Sequence, residues 1–313
     1  MFPSNPEQYA AAKKSWVVAF EYQEQHAGMK VRTDLTRALA NVYRLSSDKT
    51  RIICDCVERF NTASLIHDDI IDQDRIRRGA DSVWVRYGVA AALISGMYGY
   101  IQGLKSLSES GRMTLVQAGL DSLEELHIGQ YLDTLLSEGT DLPTMEQYRY
   151  VAQLNTGCFF IFILRACQQL KPLPQQCYRS LKSMLLELAV YYRFVNDYCD
   201  INHIPHYAKK GFAPDLEAGP KSFLMIIANQ PLPKSNRSEI QKRQIIINWG
   251  NADVFCKALK IMEDSYAILP GFLQRAQQQC NELDFSELHK FLDTVHFQQK
   301  PVDDFYASLQ LNT

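Results

Sequence analysis

The sequence predicts an all-α fold, a single helical bundle over residues 1–313. Three observations carry this. Apolar residues recur at helical spacing along nearly the whole chain. No segment alternates with period two for long enough to read as a strand. Glycine, at 15 of 313 residues, falls below the usual ~7%, and glycine-rich turns are what sandwiches and nucleotide loops need.

The elements follow in order. Tyr9 to Gln25 reads as an opening amphipathic helix, Thr33 to Tyr43 as a second and Ser47 to Asp74 as a long third. Ser46, Ser47 and Asp48 are candidate N-caps for the third. Val89 to Leu104 is apolar on every side, which predicts a central, buried helix. Its Gly96, Gly99 and Gly103 let a neighbouring helix approach closely. Thr114 to Ser137 is another long helix. Thr144 to Leu170 starts after Leu142-Pro143, and Gln175 to Ile201 resumes after Leu173-Pro174. His203 to Pro220 carries loop residues, Ser222 to Asn229 a short apolar helix and Gln230 to Glu239 a polar turn. Ile240 to His296 reads as about three shorter helices. Without a fixed repeat or a low-complexity linker, one domain is expected.

Composition narrows the class. The 33 Lys plus Arg against 35 Asp plus Glu give a formal charge of −2, without the basic excess of a nucleic-acid binder. A hydrophobic fraction of 46% is too high for a disordered acidic chain. The eight cysteines form no CxxC pair and sit mostly in apolar runs, as reduced core thiols do. The first sixteen residues hold no apolar signal core. The uncharged stretch Val89 to Leu104 is sixteen residues long, short of the ~20 that span a bilayer. These features lead to the expectation of a soluble, cytoplasmic protein with no nucleic-acid partner and no transmembrane segment.

Chemistry concentrates in two places. In Ala63-Ser64-Leu65-Ile66-His67-Asp68-Asp69-Ile70-Ile71-Asp72, an apolar helix runs into acid, and Arg77-Arg78-Gly79 follow. Asp68 and Asp72 are four apart, so their carboxylates share a helix face. Hard oxygen ligands at this spacing suit Mg²⁺, which leaves positions for phosphate oxygens. Arginine forks match phosphate. A bare acidic run is more often a solvated helix end; the apolar lead-in and the arginines point to metal plus diphosphate. The second cluster, Arg193-Phe194-Val195-Asn196-Asp197-Tyr198-Cys199-Asp200, repeats the pattern. Asn196 and Asp200 share a face, and two such clusters on separate helices build a metal site across a bundle. Lys210 and Lys221 come after it, available for phosphate.

These residues resemble the trans-isoprenyl diphosphate synthases, most closely their geranylgeranyl diphosphate synthase branch. Gly28 to Thr33 resembles that family's early GK-x-x-R segment. Asp68, Asp69 and Asp72 with Arg77, Arg78 and Gly79 resemble its first aspartate-rich motif. His127 to Asp133, with Gln130, looks like HxGQxxD. Asn155-Thr156-Gly157 stands at KTG, Asn196 to Asp200 at the second aspartate motif, and Asp215 to Phe223 resembles DLxEGKxS. The resemblance implies a helical bundle around a deep apolar cavity, usually dimeric, with three Mg²⁺ bridging Asp68, Asp69, Asp72, Asn196, Asp197 and Asp200 to an allylic diphosphate. Arg32, Arg77, Arg78, Lys210, Lys221 and Gln130 are the expected diphosphate contacts, and Ala63, Ser64, Tyr98, Phe159, Phe160 and Tyr192 the expected cavity lining.

The departures decide the expected activity. The family's lysine before Arg32 is Met29, its histidine upstream of the first motif is Asn61, its KTG lysine is Asn155, and its EGK lysine is Pro220 with Lys221 one place on. Each charge-assisted contact is worth ~1.5–3 kcal/mol, so two losses weaken a second diphosphate site by roughly 10²–10⁴-fold. The acids for ionisation survive better. The expectation is therefore a class I terpene cyclase that ionises one prenyl diphosphate, farnesyl diphosphate first, with Asp68, Asp72, Asn196 and Arg193 as the catalytic group. Chain elongation with isopentenyl diphosphate is the alternative. A weakly catalytic regulatory subunit and an HD-type phosphohydrolase fit less well: the first need not keep Asp68, Asp69 and Asp72, and the second leaves the arginines and the second cluster unexplained.

Overall fold

The computed structural model describes residues 5–26 and 28–310. The helices are α1 (Pro6–Gln25), α2 (Val31–Val42), α3 (Ser47–Ile71), α4 (Val83–Tyr87), α5 (Val89–Glu109), α6 (Met113–Glu138), α7 (Met145–Asn155), α8 (Gly157–Leu170), α9 (Gln175–Asn202), α10 (Ile204–Lys210), α11 (Phe223–Ala228), α12 (Glu239–Asn251), α13 (Val254–Ala267), α14 (Leu269–Gln279), α15 (Ser286–Val295) and α16 (Phe305–Gln310). Short 3-10 turns span Pro214–Glu217 and Pro301–Asp303. The all-α expectation holds.

The centre of the bundle is α8, whose residues 157–164 are all buried. It packs between α9, α6, α2 and α3. This corrects the central place expected for α5. One face of α5, with Ala92, Ser95, Gly96, Gly99 and Gly103, is buried; Val89, Leu93, Ile94 and Met97 on the other are exposed. The glycines do what their spacing suggests. A Cβ on Gly99 would stand 2.9 Å from the Ala63 methyl, and one on Gly103 2.5 Å from the Phe60 ring, so α5 lies unusually close to α3.

Five other expectations change. The helix over 144–170 is two, α7 and α8, bent by 50°. Thr144 opens α7 with a capping box to Gln147, and the poor helix formers Asn155, Thr156 and Gly157 mark the bend. The third helix stops at Ile71, because Gln73 has a left-handed backbone (φ 60). A small hairpin follows, β1 (Ile76–Arg77) against β2 (Ala80–Asp81), too short for a period-two pattern to reveal. Arg78 (φ 57) and Gly79 (φ 80) form its two-residue turn, the geometry that suits hairpin twist and favours glycine. Finally, the expected loop His203 to Pro220 contains α10, and four helices rather than three fill the segment from Glu239 to Val295.

All eight cysteines are free thiols, six of them buried. No single helix among the described residues is long and apolar enough to cross a membrane.

Candidate active site

The C-terminal end of α3, the hairpin, α10 and the mid-to-late part of α9 converge on a cavity of about 620 Å³. Its wall includes Asp68, Asn196, Gln130, Ser64, Phe159 and Tyr192, together with the cations Lys30, Arg32, Arg77, Arg78, Arg193, Lys209 and Lys210. Glu58 and Asp68 are its acidic residues. Two motifs 125 residues apart in sequence thus meet on one cavity, as their pattern predicted.

In the first motif one guanidinium organises the acids. Arg77 donates from Nε to Asp69 at 2.6 Å and from a terminal nitrogen to Asp68 at 3.1 Å and Asp74 at 3.2 Å. Burial works against the Arg77 charge, but Asp69, Asp68 and Asp74 more than offset it and raise its pKa. Burial pushes Asp69 up to about 7, against the pull of Arg77. Burial, and then the charge of Asp72, push Asp68 up to about 6. Arg77 is therefore a buried ion-pair partner, which corrects its expected role as a free diphosphate contact. Arg78 is differently placed. It donates to the His26 carbonyl at 2.8 Å, and the bare Cα of Gly28 leaves it room, since a Cβ there would be 2.6 Å from its terminal nitrogen. Burial and the nearby Arg77 and Arg32 charges lower its pKa. Such crowding of like charge is relieved by an anion.

Asp72 does not share the cavity with Asp68. At the C-cap of α3 it accepts from Lys221 Nζ at 3.0 Å, and Lys221 also donates to Asp133 at 2.7 Å. Lys221 is thus held in an acid clasp rather than free for phosphate. The oxygens gathered within 4.8 Å of one another come from Asp68, Asp69 and Asp74, the three acids that Arg77 holds, while Asp72 stays near enough to act on the Asp68 charge.

In the second motif, Asn196 faces the cavity and Asp197 faces away. Successive helix residues are ~100° apart, so Asp197 meets other partners: Tyr148 Oη at 2.9 Å, the Phe223 amide at 2.9 Å and Arg193 Nε at 3.1 Å. Both of its oxygens accept from these donors. Arg193 also donates to Asp133 at 3.0 Å. Burial alone would raise the Asp133 pKa; Lys221 and Arg193 outweigh it and hold this carboxyl down at about 2. Asp200 is fully buried, with Oδ2 accepting from the Asp215 amide at 3.0 Å and Oδ1 without a hydrogen-bond partner. Lys210 stands between the motifs, 3.9 Å from Asp74, and the Asp200 charge also favours its protonated form.

Of the expected lining, Ser64, Phe159 and Tyr192 face the cavity. Ala63, Phe160 and Tyr98 do not. Ala63 is packed under Gly99, Phe160 is buried edge-on to Tyr192, and Tyr98 sits on the far side of α5 against Trp16 and Phe20. Phe159 is backed by Phe60, and the Arg32 guanidinium lies 5.3 Å from its ring centre. The floor is aromatic, but the wall is more polar than the apolar cavity expected. Two buried donors on it have no hydrogen-bond partner, Arg32 Nε and Gln130 Nε2. Sequence reasoning missed Lys30, Lys209, Asp74 and His206. The only signal for the lysines was adjacency to a motif position.

The donor chemistry fits Mg²⁺. The gathered oxygens of Asp68, Asp69 and Asp74 are all hard, and Asp69 Oδ2 and Asp200 Oδ1 are buried acceptors without partners.

The fold is that of the isoprenoid synthases. A Caulobacter crescentus polyprenyl synthase, described as complexed with calcium and isoprenyl diphosphate, superposes with a TM-score of 0.73 at 16% identity, over 88% of this chain and 85% of that one. A geranylgeranyl pyrophosphate synthase gives 0.72 at 18%, over 94% and 90%. The chain belongs to the polyprenyl synthetase family, whose profile matches residues 14–258. It is similar to geranylgeranyl pyrophosphate synthase D of Phomopsis amygdali, 23% identical over 87% of this chain and 65% of that protein. It is also similar to geranylgeranyl pyrophosphate synthase atmG of Aspergillus flavus, 29% over 66% and 59%. A third relative is the sesterterpene synthase btcA of Neocamarosporium betae, 26% over 66% and 28%. The chain thus spans about two thirds or less of the length of these relatives.

Proposed function

We propose that this chain binds one allylic prenyl diphosphate, farnesyl diphosphate first, ionises it with Mg²⁺ and closes the hydrocarbon into a cyclic product, releasing pyrophosphate. The observation that carries the diphosphate reading is the cation-rich wall, with Arg32 Nε and Gln130 Nε2 buried and unpartnered. Buried donors without acceptors are costly, and phosphate oxygens satisfy them. Asp68, Asp69 and Asp74 from the first motif, and Asn196 with Asp200 from the second, are the residues that would hold the metal. Bound Mg²⁺ supplies Lewis-acid stabilisation of the departing pyrophosphate. Three ions is the number the family resemblance suggests.

The chain's own residues do the rest. Arg193 uses two of its five donors on Asp133 and Asp197, so the guanidinium is fixed in place with others left for pyrophosphate. Lys209 and Lys210 add charge on the α10 side. Phe159 and Tyr192 line the cavity, and aromatic rings in such a wall stabilise a carbocation by cation–π attraction.

Cyclisation rather than elongation is supported by the neutral groups at the Gly28–Arg32 end. Asn61 lines the cavity and Met29 is largely exposed, both at positions where the family resemblance expects a cation for the second diphosphate. Elongation has observations in its favour as well: Arg32, Arg78 and Lys30 line the same end, although Lys30 Nζ is engaged by Glu58 at 3.3 Å. Incubation with Mg²⁺ and farnesyl diphosphate alone tests the reading; hydrocarbon with one pyrophosphate per substrate supports it, and intact substrate refutes it. A homodimer fits the exposed apolar residues Val89, Leu93, Ile94 and Met97 of α5 beside Leu120, Ile128, Tyr131 and Leu135 of α6.

A further inference from the structure

We infer that Tyr148, on a helix outside both motifs, is the positioning residue that holds Arg193 ready for the leaving diphosphate, acting through Asp197. The inference rests on the cavity being a diphosphate site, as proposed above, and gives Asp197 a task other than metal binding.

The Arg193 guanidinium is planar, and two acids hold it by one edge. Asp197 Oδ1 accepts from Nε at 3.1 Å and Asp133 Oδ1 from Nη2 at 3.0 Å. Nε and Nη2 lie on the same side of the plane's fork, so the other fork, Nη1 with the second Nη2 hydrogen, is left for an anion. Arg193 lines the cavity, and the two acids stand behind it. A carboxylate can rotate, so something must fix which oxygen meets Nε. Two donors from different elements do this at Asp197 Oδ2: the Tyr148 hydroxyl of α7 at 2.9 Å, and the Phe223 amide at the start of α11 at 2.9 Å. Burial and the Asp197 charge raise the Tyr148 pKa, so the phenol keeps its proton and stays a donor. Its ring stacks on Phe194 with centres 5.5 Å apart and planes within 10°, and Phe194 packs on Phe223 at 4.1 Å. The rings carry the packing of α7, α9 and α11 here, while the hydroxyl sets the aim of Asp197.

Tyr148→Phe removes the hydroxyl and keeps the stack. Calorimetric titration of the whole protein with inorganic pyrophosphate in Mg²⁺ reads the effect without turnover. The expected loss of affinity is about 10-fold, the low end of the ~10–100-fold that removing a group which orients a ligand costs at metal sites. Arg193→Gln should lose at least as much. Tyr148→Phe added to it should lose nothing further, because residues in one hydrogen-bonded chain are not additive. A merely structural tyrosine would lower affinity by the same factor in both backgrounds, and that result overturns the inference. So does unchanged affinity in Tyr148→Phe when the unmodified protein binds; the diphosphate reading then stands. No pyrophosphate binding by the unmodified protein overturns both. If Tyr148→Phe does not fold, Asp197→Asn cuts the same link at its middle. Its loss should also vanish without Arg193, whereas a loss that persists in Arg193→Gln marks Asp197 as a metal ligand and overturns the inference.

Discussion

Replacing Lys221 by methionine removes the ammonium from between Asp72 and Asp133 while keeping most of its volume. Lys221 is buried, 3.0 Å from Asp72 and 2.7 Å from Asp133. Removing one partner of a buried ion pair costs ~3–5 kcal/mol. Arg193 remains 3.0 Å from Asp133, so the loss should sit near the lower end, about 3 kcal/mol. The pKa of Asp133 gives an independent scale. At about 2 against the ordinary 3.8, the cations net of the burial penalty favour the folded state by roughly 2–3 kcal/mol at 1.36 kcal/mol per pH unit. The two figures agree in order. Urea unfolding followed by circular dichroism at pH 7 measures the loss. The sign with pH is fixed. A depressed carboxyl stabilises above its unfolded value, so the Asp133 contribution is full above pH ~4 and lost as pH falls through ~2. In Lys221→Met this acid limb should be shallower. A stability loss below about 0.5 kcal/mol with an unchanged acid limb would refute the clasp as a buried ion pair.

Other substitutions probe the cavity and the outer surface. Ser64→Phe puts a ring into the cavity one helical turn before Asp68 and should raise KM for a C15 diphosphate more than for a C10 one, read by pyrophosphate release; equal effects on both would remove Ser64 from the prenyl path. Asp68→Asn should reduce kcat by at least about 10³-fold, as loss of a group stabilising transition-state charge does, with an unchanged circular dichroism spectrum. Ile94→Glu places charge in the exposed apolar strip of α5 and should shift the protein from dimer to monomer in sedimentation; a monomeric unmodified protein would discard the dimer.

The long helices were legible because one face of each must be buried and 3.6-residue spacing records that face. α5 misled because a helix that is apolar all round has two reasons to be so. Its glycine face meets α3, and the side chains of Leu93, Ile94 and Met97 are about half exposed. Periodicity does not distinguish a core from an interface between chains. The site was legible as a set of motifs and less so as a set of roles. DDxxD places Asp68 and Asp72 one turn apart, and the C-cap Asp72 still bonds its amide to the Asp68 carbonyl, but spacing does not say which partner each carboxylate takes. Asp72 then turns to Lys221, and Asp74 joins the cluster from beyond a left-handed Gln73. Lys30 and Lys221 show a related limit. Each stands one residue from a position where a cation was expected, and a long flexible stem recovers part of what the shift removes. His206 carried no pattern at all, because its partner Asp200 is on another helix.

The central claim is that one prenyl diphosphate suffices. Its most direct test supplies purified protein with Mg²⁺, farnesyl diphosphate and radiolabelled isopentenyl diphosphate, and follows label and pyrophosphate together. The account predicts cyclic hydrocarbon formed at the same rate with or without isopentenyl diphosphate, and no label in the product. Turnover that begins only when isopentenyl diphosphate is added, with the label in a C20 diphosphate, would contradict it.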